Sequence, residues 1–80
     1  MESSEIYMRM SSVFRDVFDD ETLIVSPELS AENVDGWDSL EHIRLMLSVQ
    51  KAFGVKFSAR EIAQLKNVGE LAGLIKAKLG

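Results

Sequence analysis

Apolar residues recur at helical spacing in four stretches of this chain, and no stretch shows the strict alternation of a strand. Over residues 4–18, Ile6, Met10, Val13, Phe14, Val17 and Phe18 fall on one side, with Glu5, Arg9, Ser12 and Asp16 on the other. Residues 39–53 are the most apolar stretch. Leu40, Ile43, Leu45, Met46, Val49 and Phe53 cover more than one stripe, which predicts a central helix packed on several sides. A short third helix is predicted from Ser58 to about Leu65. A fourth covers 68–79, with Val68, Leu71, Ala72, Ile75 and Leu79 on its inner face. Met8, Met10 and Met46 read as core filler.

The ends of these stretches carry their own signals. Asp38 is an N-cap, and Glu41 three residues on makes an Asp-x-x-Glu start resembling a capping box. Ser58-x-x-Glu61 is a true capping-box pattern, Asn67 caps the last helix, and Gly54 supplies a left-handed stop. Between the first two helices, residues 19–37 form a long connection containing Ser26-Pro27 and Asp35-Gly36. A connection that long in a small domain is usually functional. Leu23, Ile24, Val25, Leu29 and Val34 are expected to pin it to the core. The predicted fold is all-α: a small bundle of three main helices and a minor one, one domain over residues 1–80.

Composition narrows what such a bundle can do. Its 80 residues are 46% hydrophobic and 28% charged, the balance of a globular protein. With no cysteine, disulfides, thiolate metal sites and cysteine nucleophiles are excluded. One histidine, His42, leaves little for a zinc site or a Ser-His pair, and the Asp19-Asp20-Glu21 run lacks the spacing of a calcium loop. The net charge of -4 is unevenly placed. Residues 1–38 hold ten acids against two bases, and residues 39–80 three acids against seven bases. Those bases are dispersed and no two are adjacent, which argues against a nucleic-acid surface. Neither a membrane span nor a secretory leader is visible, so a cytoplasmic monomer is expected.

The candidate chemistry lies at Gly36-Trp37-Asp38-Ser39-Leu40, where the long connection meets the central helix. A serine there sits beside free backbone N–H groups at the positive end of a helix dipole, a place suited to a phosphate. No local base would deprotonate Ser39, so a group would have to be attached by another enzyme. Trp37 is either an aromatic contact for such a group or a partner, or an anchor for the loop. His42, one turn on, either touches a phosphate or faces solvent.

The order of elements, with Asp38-Ser39-Leu40 followed by Ile43, Leu45, Met46, Val49 and Phe53, resembles the acyl carrier proteins over about residues 4–79. The resemblance implies that Ser39 carries 4'-phosphopantetheine, transferred from coenzyme A by a phosphopantetheinyl transferase. The thiol missing from the chain would come from that cofactor and hold acyl groups as thioesters for loading and processing enzymes. The carrier itself would catalyse nothing. Asp38 would help define the modification site and Leu40 would orient the serine through the core. Glu41, Arg44, Leu47 and Lys51 would form the partner-reading face. Fatty-acid carriers typically present acids where this chain has Arg44, Gln50, Lys51 and Ala52, which implies a specialised lipid, polyketide-like or secondary acyl pathway. A peptidyl or alanyl carrier is the near alternative, although Trp37 stands where peptidyl carriers favour glycine. An unmodified helical interaction module is the alternative from another class.

Overall fold

A computed structural model describes Met1–Gly80. Its elements in chain order are α1 (Ser3–Phe18), α2 (Ser39–Phe53), α3 (Ala59–Gln64) and α4 (Val68–Leu79). The caps form as the sequence predicts. Asp38 and Asn67 side chains accept from Glu41 and Glu70 N–H at 2.8 and 2.9 Å. Ser58 and Glu61 exchange both bonds of a capping box, and Gly54 ends α2 at φ 67°. At Asp38 the box stays half made, because the Glu41 carboxylate turns to Arg44 at 3.1 Å.

Thirteen buried apolar side chains form one cluster, drawn mainly from α1, α2 and α4, with Val25 and Phe57 added from the connections. Helix α1 packs against both α2 and α4 through Ile6, Met10 and Phe14. No α3 residue is fully buried. None of the helices is long and apolar enough to cross a membrane.

The connection between α1 and α2 is fastened by polar bonds as well as by apolar side chains. Arg15 Nε donates to the Leu23 carbonyl at 2.8 Å, and the buried Ser11 hydroxyl accepts from Val25 N–H at 3.3 Å. Further on, the Leu29 and Pro27 carbonyls accept from Val68 and Gly69 N–H at 2.8 and 2.9 Å. The loop thereby satisfies two N–H groups that the first turn of α4 cannot pair internally. Gly69 permits this approach, since a Cβ there would lie 3.1 Å from the Pro27 oxygen.

Several apolar positions lie elsewhere than the periodicity suggests. Met8 is 71% exposed and Ile24 72% exposed, so neither fills the core nor pins the loop. Met10 and Met46 are buried, whereas Leu79, the last residue of α4, is exposed. On α2, Leu40, Ile43 and Leu47 are 64%, 54% and 61% exposed. At about 100° per residue they share an outward stripe with Arg44 and Lys51, opposite Leu45, Met46, Val49 and Phe53. Helix α2 is therefore packed on one side, and Leu40 does not reach the core to orient Ser39.

Candidate functional site

The site is assembled where the loop enters α2. Gly36, at φ 87°, takes a backbone conformation that favours glycine, and its carbonyl accepts from Asp38 N–H at 3.0 Å. Asp38 then adopts the extended backbone of an N-cap and holds the N–H of Glu41. Ser39 is the first helical residue and is exposed, and its N–H and that of Leu40 make no bond to the chain. The hydroxyl thus stands at the positive end of α2 with donors beside it.

Trp37 is half-buried against three rings. It meets Phe14 edge-on at 5.5 Å and 85°, lies tilted 5.9 Å from Phe18, and stacks on His42 at 6.1 Å and 21°. It therefore anchors the end of the loop to α1 while its indole also borders the groove beside Ser39. Its Nε1–H donates to His42 Nδ1 at 3.0 Å. His42 Nε2 in turn lies 3.2 Å from the Ile62 carbonyl on α3. An indole N–H can only donate, so Nδ1 accepts and Nε2 is the nitrogen turned as donor to the Ile62 carbonyl. His42 consequently neither faces solvent nor offers Ser39 a free base, and the hydroxyl has no activating partner.

A groove of about 460 Å³ opens next to Ser39. Ala31, Trp37, Asp38 and Ser39 border one side, His42 and Met46 of α2 and Leu71 of α4 the interior, and Ile62, Ala63, Leu65, Lys66 and Asn67 the other. An exposed hydroxyl at a helix start, with unpaired N–H groups and a mostly apolar recess beside it, fits a phosphate-linked arm carrying an apolar load. Met46, Ile62, Leu65, Lys66 and Leu71 were not legible as groove residues in the sequence. The one signal available was the pairing of Ile62 with Leu65 on a short helix that had no assigned packing partner.

Residues 11–75 match the family described as "Phosphopantetheine attachment site", a span that includes the whole loop-to-α2 junction. The chain belongs to the acyl carrier protein family. It is 29% identical over 79 residues to an acyl carrier protein of Coprothermobacter proteolyticus, covering 99% of this chain and 96% of that one. It also superposes with TM-score 0.86 on the solution structure of a holo acyl carrier protein from Geobacter metallireducens. The two are 40% identical, with 92% of this chain and 85% of that chain covered. This is a carrier, not an enzyme, and 4'-phosphopantetheine is its covalent cofactor.

The remaining residues predicted for partner contact divide by geometry. Arg44, Leu47 and Lys51 lie together on the outward stripe of α2. Glu41 stands to one side, its carboxylate mostly shielded and 3.1 Å from Arg44. Leu40 and Ile43, expected in the core, join the outward stripe instead.

Proposed function

We propose that Ser39 is the attachment residue and that residues 1–80 act as one cytoplasmic, monomeric carrier domain for acyl thioesters in a specialised lipid, polyketide-like or secondary acyl pathway. The observation that carries the assignment is the exposed Ser39 hydroxyl at the start of α2, opening onto a mostly apolar groove. When attached, phosphopantetheine supplies a thiol that holds the acyl group as a thioester. The chain's own residues do the rest. Asp38 holds the first turn of α2 in place, the Ser39 and Leu40 N–H groups face the phosphate position, and the groove removes apolar cargo from water.

Partner choice rests on the outward stripe of α2. Leu40, Ile43 and Leu47 expose apolar surface among Arg44 and Lys51, whereas a partner selected for an acidic helix would meet like charges here. Phosphopantetheinyl transferase and the loading and processing enzymes would dock on this face, with Glu41 at its edge. The aminoacyl alternative uses the same serine and arm. Trp37, wedged against Phe14 and His42, favours acyl cargo because it fills the place where peptidyl carriers favour glycine.

Incubation with coenzyme A and a broad-specificity phosphopantetheinyl transferase is expected to add one phosphopantetheine mass, absent from Ser39→Ala. No adduct, or one that persists in the variant, rejects the attachment site. Fatty-acid synthase enzymes are expected to turn the holo carrier over poorly, and Arg44→Glu with Lys51→Glu to raise that turnover without changing helicity. A wild-type rate equal to that of a housekeeping carrier at the same salt rejects the specialised pathway.

A further inference from the structure

The groove beside Ser39 has two walls, and one imidazole runs between them. On the loop side, Trp37 is wedged against Phe14 and Phe18 and donates to His42 Nδ1 at 3.0 Å. On the α3 side, Nε2–H donates to the Ile62 carbonyl at 3.2 Å. That carbonyl belongs to the last turn of a six-residue helix, where only the long 3.4 Å contact from Leu65 N–H otherwise meets it. The other fastenings of α3 are slight. Ile62 is only half-buried, and Glu61 pairs with Lys78 at 3.0 Å at the surface. Such a segment opens at far lower free energy than the core beneath it.

We propose that His42 is the specificity-determining residue of the groove: by tying Trp37 to the Ile62 carbonyl it holds α3 against α2 and sets the length of acyl chain the carrier shelters. This rests on the reading of Ser39 as the attachment point and of the groove as the shelter. A chain entering from Ser39 fills the recess over Met46 and Leu71 until the tied wall stops it. Longer chains require α3 to move outward, and that movement breaks the His42–Ile62 bond. Short acyl groups are held without that loss, so the tie discriminates by length and leaves the core untouched.

The test uses the apo carrier, whose Ser39 hydroxyl receives the whole acyl-phosphopantetheine arm from acyl coenzyme A by the transferase, with adenosine 3',5'-bisphosphate leaving, for saturated chains from butyryl to dodecanoyl. The melting temperature of each is then measured. For the wild type it is expected to climb with chain length and then level off. In His42→Ala the levelling point moves to longer chains, by about one two-carbon step or more, since further methylenes enter once the wall gives way. Two conservative variants separate the tie from simple packing. His42→Gln places an amide N–H near the Nε2 position and is expected to keep the wild-type levelling point. His42→Asn keeps only an acceptor near Trp37 and is expected to behave as His42→Ala. The indole N–H resonance of Trp37 checks that each variant is folded, and if His42→Ala is not, the Gln and Asn pair decides. A levelling point shared by all the proteins, or rescue by Asn and not Gln, overturns the tie to α3 while the shelter stands. No dependence on chain length in the wild type overturns the shelter reading, and the tie with it.

Discussion

The connection over residues 19–38 contains no regular helix, yet it is fastened more firmly than α3, which is regular from Ala59 to Gln64. The connection buries Val25, half-buries Leu23, Leu29 and Trp37, and gives its Pro27 and Leu29 carbonyls to α4. Helix α3 has a complete capping box and buries no residue fully. Local hydrogen bonding makes a segment regular, but buried surface and long-range partners hold it in place. The groove lies between the two, with a firm wall on the loop side and a light one on the other.

The most damaging break in this contrast is Phe14→Ala. Phe14 is fully buried and carries both Phe18 and Trp37, so its loss removes the seat of the firm wall. Denaturant unfolding is expected to show a loss of about 3–5 kcal/mol, and the Trp37 fluorescence should shift as the indole gains water. Ser11→Ala is the next step down. It leaves the buried Val25 N–H without its acceptor, at a cost of about 1–3 kcal/mol, read in the same experiment. A loss confined to α3 would show that the loop is not tied as described.

Ser58→Ala is smaller, about 1 kcal/mol, and local. Amide exchange is expected to speed up across α3 while Leu45, Val49 and Ile75 keep their protection. If the core amides speed up equally, α3 and the core open as one unit and the contrast fails.

Acid provides the mildest probe. Ser58 N–H, then the Lys78 ammonium, hold the Glu61 carboxyl below the usual glutamate range. A carboxylate with a lowered folded pKa stabilises above the ordinary range, and that contribution is lost as pH falls through the lower folded value. The Thr22 hydroxyl, then its N–H, lower Asp20 in the loop in the same way. Exchange in α3 is expected to rise below the normal glutamate range before exchange at Val25 does, because the loop keeps its buried contacts. Glu61→Gln should flatten the α3 response and leave that of the loop unchanged.

Much of this architecture was written locally. The approximate limits of all four helices, the N-caps of α2, α3 and α4, the glycine stop after α2 and the serine at its start follow from residues a few positions apart. The apolar excess of α2 misled at Leu40 and Ile43, which look like core residues by type, whereas Leu47 lies outward as expected. Their place on the outward face of α2, among Arg44 and Lys51, has no signature in hydrophobicity alone. His42 was equally opaque. One partner is five residues away in the loop and the other is a backbone carbonyl twenty residues on, and a carbonyl carries no side-chain signal at all.

By itself, then, the chain specified its helices and the serine that starts α2, since propensity, capping and period act within a turn or two. Tertiary structure alone decided which side of α2 turns inward, and that Ala31, Met46, Ile62 and Leu71 meet in one groove beside Ser39. It also decided that His42 bridges Trp37 and the Ile62 carbonyl across that groove. These depend on contacts between distant segments, which form only when α1, α2 and α4 close over a shared apolar core and carry the loop and α3 into place.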